Sequence, residues 1–162
     1  MYIDTESVTV GDIMERDAYC VPATATLSDV VGELKRLGVS SLTVVDDEHH
    51  VVGFVSDGDI MRAIAAHKSR TFFSGGSSSM VYFDDETLAQ KVANLRERNV
   101  MDLAARKVLC ATPDQSVGRV ADVLGKRKFK KMPVIDEEGR LVGVIRRGRI
   151  TRYIFGMLFD EE

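Results

Sequence analysis

Ser56 and Asp59 are the residues of this chain whose types and spacing best suit ligand chemistry. Both follow the apolar run Gly53-Phe54-Val55 and stand at the start of a predicted helix. The free backbone N–H groups at a helix N-terminus can hold a phosphate, and a serine hydroxyl there can add a hydrogen bond. A carboxylate three residues later accepts strong hydrogen bonds. The same pair can instead cap the helix without any ligand, and without the wider context of the chain the cap is the favoured interpretation.

The remaining residues that could carry chemistry do not combine into a site. The three histidines, His49, His50 and His67, lack a matching set of cysteines or carboxylates, so no metal site is expected. Cys20 and Cys110 lie in apolar runs and are interpreted as small buried hydrophobic residues of a protein in the reducing cytoplasm. With no Ser/His/Asp set, P-loop or GxGxxG motif, we predict no catalytic residues, no enzyme activity and no required cofactor.

An internal repeat sets the positions of Ser56 and Asp59. Residues 10–64 recur without a gap at residues 100–154, so an offset of 90 places Asp12 on Asp102 and Cys20 on Cys110. A repeat of this length is a structural unit used twice rather than a short solenoid period. Two such units can pack face to face and form two related clefts.

Each repeat predicts the order strand, helix, strand, strand, helix, which is an α+β layer with one apolar sheet face. The second and third strands flank an acidic turn and are predicted to form a hairpin. The predicted strands are residues 18–21, 41–45 and 51–55, repeated at 108–111, 132–135 and 141–145; the helices begin near Leu27 and Gly58, and near Val117 and Gly148.

The chain therefore divides into repeat 1 at residues 8–66, a connector at 67–99 and repeat 2 at 100–156. The serines and glycines of residues 74–79 predict a flexible surface loop. A helix from Asp84 to about Arg98 is expected to follow and to let both repeats dock. The sequence contains no run long enough for a membrane helix and no visible signal peptide, which predicts a cytoplasmic protein.

The charges are unevenly distributed. Residues 1–90 carry 6 Lys/Arg and 15 Asp/Glu, whereas residues 91–162 carry 16 and 10. The basic excess concentrates at residues 126–131 and 146–149. Three interpretations are open: two solvated faces, a basic half that attracts phosphate, or two halves that attract each other across a dimer.

The repeat resembles the CBS domain, and the chain from about residue 8 to 156 resembles a tandem CBS pair, or Bateman module. The segment from Gly53 to Ile60 fits the family pattern Gly-h-h-Ser/Thr-x-x-Asp, where h is hydrophobic. The other motifs that carry the resemblance are Asp12-Ile13-Met14, Val44-Val45-Asp46 and Pro133-Val134-Ile135-Asp136.

This resemblance implies two repeats packed by pseudo-two-fold symmetry, and an adenosine-containing ligand between them. The ligand would be AMP, ADP, ATP or S-adenosylmethionine, with Asp59 accepting from the ribose hydroxyls and Ser56 near phosphate. In this first cleft, Val108 and Met132 would cover the adenine, while lysines approach the phosphates as mobile charges. The facing residues carried over by position are Lys107, Val108, Lys130, Lys131 and Met132.

The second cleft departs from the family pattern. Arg146 and Arg149 replace the equivalents of Ser56 and Asp59, and arginine has no acceptor for a ribose diol. The cleft is therefore either empty or adapted to a phosphate-rich anion, and we favour a defective site. The residues expected to face the two arginines are Ala18, Val39, Ser40, Ser41 and Leu42.

The predicted function is a regulatory small-molecule sensor that acts on an unknown effector protein. We also expect a head-to-tail homodimer in which the acidic half of one subunit meets the basic half of the other. The candidate apolar contacts are Leu37, Ile64, Ile154, Phe155 and Leu158. The alternatives are a ligand-free dimerisation module and, less favoured, a nucleic-acid-binding module, because the basic residues lack interleaved aromatics.

Overall fold

The structure, a computed structural model, describes residues 8–66, 68–83, 86–127 and 129–159. The helices are α1 (Val10–Ile13), α2 (Leu27–Leu37), α3 (Asp57–Ala65), α4 (Leu88–Arg96), α5 (Val117–Lys126) and α6 (Arg147–Phe159), with a 3-10 helix at Val100–Asp102. The strands are β1 (Cys20–Pro22), β2 (Ser41–Val45), β3 (Val51–Ser56), β4 (Lys68–Ser74), β5 (Ser77–Phe83), β6 (Lys131–Ile135) and β7 (Leu141–Arg146).

The two repeats form similar sheets with one difference. In repeat 1, β1 pairs in parallel with β2, and β2 pairs antiparallel with β3. In repeat 2, β6 and β7 form the same hairpin, but the strand predicted at residues 108–111 is reduced to one parallel bridge between Ala111 and Val134. Pro133 explains this correction, because it has no N–H with which to extend the ladder toward Leu109.

The first segment of each repeat completes the core of the other repeat. We call residues 8–15 and 98–105 the leading segments. Val10, Ile13 and Met14 pack into the core of repeat 2, whereas Val100 and Ala104 pack into the core of repeat 1. The backbone bonds agree, because the Val10 N–H donates to the Gln115 carbonyl at 2.8 Å. The units of sequence repetition are therefore not the units of packing.

Contacts between the repeats occur in pairs related by the offset of 90 residues. The Val51 N–H donates to the Gly139 carbonyl at 3.1 Å, and the equivalent Leu141 N–H donates to the His49 carbonyl at 3.0 Å. Antiparallel bridges likewise join Phe54 to Ala105 and Val144 to Glu15. This is the pseudo-two-fold arrangement that the sequence predicts, and the α+β class is confirmed.

Gly53 and Gly143 lie where the leading segments cross the strands. A Cβ atom at Gly143 would stand 2.8 Å from the Glu15 carbonyl oxygen and 2.9 Å from the Met14 Sδ. A Cβ at Gly53 would stand 3.1 Å from the Met101 Sδ. The glycine that opens the family pattern is thus required by the close passage of a leading segment.

The connector differs from its prediction as a flexible loop. β4 and β5 form an antiparallel hairpin, turned by Gly75 and Gly76 with φ of 58° and 80°. Two positive φ angles suit a two-residue hairpin turn, and the flanking sequence is rich in β-branched and aromatic residues. α4 begins later than expected, capped by Thr87 with Gln90; the predicted start at Asp84 lies outside the described residues.

The crossing of the leading segment over β7 gives a stability prediction. We expect Gly143→Ala to lower the free energy of unfolding by about 1–3 kcal/mol, because backbone must shift to admit the methyl group. Gly32→Ala is the control: it lies in α2 with nothing within 4 Å of the added Cβ, and should raise stability by roughly 0.5–1 kcal/mol. Urea unfolding measures both, and an unaffected Gly143→Ala protein would contradict the close crossing.

Candidate functional site

Ser56 and Asp59 form a complete capping box at the start of α3. The Asp59 N–H donates to the Ser56 Oγ at 3.3 Å. The Asp59 Oδ2 accepts from the Ser56 N–H at 2.8 Å and from the Ser56 hydroxyl at 2.9 Å. The capping interpretation is therefore confirmed, and any ligand must use what the cap leaves available.

The outer oxygen of Asp59 is the part of the pair that a ligand can reach. Its Oδ1 accepts from the Arg62 guanidinium one turn along α3. The Asp59 side chain is 18% exposed, whereas that of Arg62 is 74% exposed. A solvated arginine holds such a partner weakly, so a pair of hydroxyl groups can replace it at this oxygen.

The start of α3 is a poorer phosphate site than the sequence predicts. The Asp57 N–H already donates to the Ser40 carbonyl at 2.9 Å, and the Asp59 N–H is taken by the cap. Asp57 and Asp59 also place two negative charges in the first turn. These carboxylates suit the helix dipole but repel an anion.

The predicted facing residues divide between surface and core. Lys107 and Lys130 are exposed and Val108 is half-buried. Met132 is 3% exposed and belongs to the core of repeat 2. The equivalent Leu42, predicted for the second cleft, is also in a core. Since successive side chains of a strand point to opposite faces, residues 42 and 132 point away from the partner repeat.

Lys131 is fixed rather than mobile. Its Nζ donates to the Ser41 carbonyl at 2.6 Å and lies 5.9 Å from the centre of the Phe54 ring. Ser41 pairs with Ser56 across β2 and β3, so Lys131 reaches the strand ends that precede α3. Residues 41 and 131 are equivalent in the repeat, which places this contact close to the pseudo-two-fold axis.

The environment of Lys131 lowers its pKa from the ordinary value of 10.5 to about 8. Burial of the ammonium is the largest cause, and repulsion by Arg146 adds to it. Attraction by Glu15 opposes both effects. Lys131 is therefore a charged group held at a free-energy cost between the repeats.

In the second cleft both arginines contact the leading segment of residues 8–15. The Arg146 Nε donates to the Glu15 Oε2 at 3.1 Å, and the Arg149 Nε donates to the Ile13 carbonyl at 2.6 Å. The residues predicted to face them range from buried Ser41 to half-buried Ala18 and Val39 and exposed Ser40.

Glu15 is a site residue that the sequence analysis missed. Its equivalent in the repeat is Ala105. Both members of the Glu15–Arg146 pair therefore differ in charge from their equivalents, Ala105 and Ser56. This paired difference was the available signal.

Two cavities adjoin these residues. One of about 520 Å³ lies beside α5, and its lining includes Leu109, Cys110, Arg119 and Met132. The other, of about 430 Å³, is lined by Asp12, Ile13, Arg149, Arg152 and Tyr153. Met132 thus contacts a cavity although it is a core residue.

Two further properties concern the part of the chain that the structure describes. Within it, no three His, Cys, Asp or Glu residues are grouped to hold a metal ion. Its helices are also too short or too polar to cross a membrane.

Comparisons with known proteins identify one family. The family model for the CBS domain matches residues 10–66 and 100–156. The uncharacterized protein MJ1426 of Methanocaldococcus jannaschii is 26% identical over 153 residues, which is 90% of each chain. The chloroplastic CBS domain-containing protein CBSX2 of Arabidopsis thaliana is 27% identical over 89% of this chain and 62% of its own length. This chain therefore spans less than two thirds of CBSX2.

Solved structures give the same result. The crystal structure of CBSX2 in complex with AMP superposes with a TM-score of 0.69 at 25% identity, covering 93% of this chain and 98% of that chain. The CBS domain pair of protein MJ0100, in complex with 5'-methylthioadenosine and S-adenosyl-L-methionine, has a TM-score of 0.65 at 19% identity. It covers 93% of this chain and 98% of that chain, and at this identity it shows the fold alone.

The lowered pKa of Lys131 predicts a pH dependence. Between pH 8 and 10.5, Lys131 is protonated in the unfolded chain but largely neutral in the folded protein. The unfolded state then binds more protons, so this residue makes stability rise with pH across that window. We expect Lys131→Met to remove the rise and exposed Lys130→Met to keep it, as measured by urea unfolding at several pH values.

Cys20 and Cys110 act in the opposite direction, because burial raises the pKa of both thiols above 9.0. The difference between wild type and variant isolates Lys131 from them. Equal pH profiles for wild type and Lys131→Met would contradict the prediction.

Proposed function

The chain belongs to the CBS domain family, as its motifs predict, and from that premise we propose that it is a regulatory module that binds an adenosine ligand. The ligand is an adenine nucleotide or S-adenosylmethionine, held in the first cleft. The observation that carries the proposal is the Asp59 carboxylate, which is anchored by its inner oxygen and whose outer oxygen accepts from the exposed Arg62. The similarity to CBSX2, which was crystallised with AMP, supports it.

The proposed binding geometry starts from the ribose. Its two neighbouring hydroxyls replace Arg62 at the outer oxygen of Asp59, because a carboxylate accepts strongly from both. The adenine lies toward half-buried Val108. The phosphates point away from the acidic start of α3, toward exposed Lys107 and Lys130 and the fixed ammonium of Lys131.

A ligand in the first cleft would act on the packing of the whole module. Phe54 and Ala105 are joined there by two backbone hydrogen bonds of 3.0 and 2.9 Å, and residues 98–105 complete the core of repeat 1. A ligand that contacts both β3–α3 and repeat 2 therefore favours one relative placement of the repeats. An effector protein that reads this placement would respond to ligand concentration.

The chemical state of the Cys20 and Cys110 thiols and of the Ser56 hydroxyl supports a regulatory role rather than a catalytic one. Burial raises the pKa of Cys20 and Cys110, which disfavours the nucleophilic thiolate. The Ser56 hydroxyl is committed to its cap. The cytoplasm stays a prediction, because the relative CBSX2 is a chloroplast protein.

The end of α6 favours homodimerisation, which is also the basis of the ligand-free alternative. Phe155, Leu158 and Phe159 are exposed, and the Phe155 and Phe159 rings lie 5.6 Å apart. Of the other predicted contacts, Leu37, Ile64 and Ile154 instead pack partly against the cores. We propose that this end of α6 supplies the apolar part of a head-to-tail dimer whose orientation comes from the opposed charges of the two halves.

Binding predicts a ligand-dependent gain in stability. At about 100 times its dissociation constant, the ligand should add roughly 2.7 kcal/mol to the free energy of unfolding. We expect AMP, ADP, ATP or S-adenosylmethionine to raise the melting temperature of wild type, and Asp59→Ala to abolish this ligand-induced shift. Differential scanning fluorimetry measures it.

Asp29→Ala is the matched control, because Asp29 forms the same capping box with Thr26 at the start of α2. It should lower the basal melting temperature as a lost cap does, yet keep the ligand-induced shift. If none of the four ligands shifts wild type, the adenosine proposal is wrong.

The dimer gives a separate prediction. We expect wild type to sediment as a dimer at tens of micromolar, and Phe155→Glu with Phe159→Glu to sediment as a monomer, because charge replaces the apolar contact. Val31→Glu, an exposed residue of α2, is the control and should stay dimeric. A monomeric wild type would refute the dimer. Crosslinks that join repeat 1 to repeat 1 would refute only the head-to-tail orientation.

A further inference from the structure

We infer that Glu15, Arg146 and Arg149 fill the second cleft with the chain's own groups and so limit the module to one ligand per chain. The inference rests on the proposed function for the nature of the ligand. It concerns a different property, namely how many of the two related clefts can accept that ligand.

The repeat symmetry allows a comparison position by position. Glu15 and Arg146 in the second cleft correspond to Ala105 and Ser56 in the first. Each leading segment is joined to a strand of the other repeat by an equivalent antiparallel bridge, Ala105 to Phe54 and Glu15 to Val144. The backbone frame is therefore shared, and side chains make the difference. Where the first cleft has a methyl and a hydroxymethyl group, the second has an ion pair of 3.1 Å.

The ribose position is altered in the same way. Arg149 replaces the equivalent of Asp59, and its Nε donates to the Ile13 carbonyl at 2.6 Å. A carboxylate that could accept from a diol has thus become a donor already bound to the opposite leading segment. The equivalent of Ile13 in the repeat is Leu103, and a carbonyl oxygen at that position could offer Asp59 no proton.

The start of α6 shows that these arginines are not there to stabilise the helix. Cations at a helix N-terminus oppose the helix dipole, and Arg146, Arg147 and Arg149 all lie at this end. All residues of α6 are described, and its first turn contains no acidic residue, whereas α3 begins with Asp57 and Asp59. Arginines at this helix end are locally unfavourable, and their contacts with Glu15 and Ile13 offset that cost. This indicates that the contacts themselves have a function.

The ion pair is only partly solvated, which gives it more weight than a surface pair. The side chains of Arg146 and Glu15 are 34% and 31% exposed. Nearby Lys131 adds a second cation to the same carboxylate, since Glu15 raises its pKa while Arg146 lowers it. Glu15 thus already neutralises part of the positive charge of Arg146 and Lys131, which would otherwise attract an incoming anion.

The first experiment needs no ligand. Glu15→Ala, Arg146→Ser and the double variant form a double-mutant cycle, read by urea unfolding. If the pair joins the leading segment to β7, the effects of the single variants should be non-additive, with the double variant less destabilised than their sum. Additive effects would show that the two side chains do not interact and would overturn the inference.

The second experiment reopens the cleft. The triple variant Glu15→Ala, Arg146→Ser, Arg149→Asp gives the second cleft the residues of the first at these three positions. Arg152, the equivalent of Arg62, then regains an acidic partner three residues before it. We expect calorimetric titration with AMP to give one site per chain for wild type and two for the triple variant. Arg147→Ser with Arg127→Ser changes the net charge by the same amount outside the cleft and should keep one site.

The outcomes separate this inference from the proposed function. Two sites in wild type, or one site in a folded triple variant, would refute the inference while leaving the adenosine proposal intact. No AMP site in wild type, no melting shift with any of the four ligands, and non-additivity in the cycle would together refute the adenosine proposal and leave the filled cleft intact. Binding of inorganic phosphate to wild type that Arg149→Ala abolishes would show an anion site instead, and would overturn the inference.

Discussion

The exchange of leading segments is the constraint on which the rest of the structure depends. Val10 and Val100, both fully buried, lie in the core opposite to their own repeat. Each core lacks part of its apolar surface unless the other repeat is present, so burial couples the two halves into one body. The same exchange draws the chain across Gly53 and Gly143 and sets residues 13–15 and 103–105 beside the strand ends from which α6 and α3 begin.

Both clefts follow from this arrangement, and their chemistry is set by a few side chains on a common frame. The backbone bridges are the same on both sides, yet one side presents Ser56 and Asp59 and the other Arg146 and Arg149. A module built by repetition can thus keep its packing and lose the symmetry of its ligand sites. Lys131 lies close to the axis and donates a hydrogen bond to the Ser41 carbonyl. It therefore links equivalent strands of the two repeats, between the two clefts.

Periodicity and repetition predicted most of the fold, whereas the direction and pairing of individual side chains limited the prediction of the site. The hairpins, the amphipathic helices and the two-fold relation follow from patterns that recur at a fixed offset. Leu42 and Met132, predicted in the clefts, belong to the two cores, whereas their neighbours Ser41 and Lys131 contact each other between the repeats. Arg62 as partner of Asp59, and Glu15 as partner of Arg146, depend on side-chain contacts that spacing alone does not determine. The β4–β5 hairpin was missed because its glycines and serines suggested a loop.

The most direct test of the central claim is a crystal structure of this chain grown with AMP. The account predicts one nucleotide per chain, its ribose on Asp59 in place of Arg62, with the Glu15–Arg146 ion pair intact in the second cleft. Density for a nucleotide in the second cleft with that ion pair broken would contradict it, and so would a first cleft that stays empty with AMP, ADP, ATP and S-adenosylmethionine each at saturation.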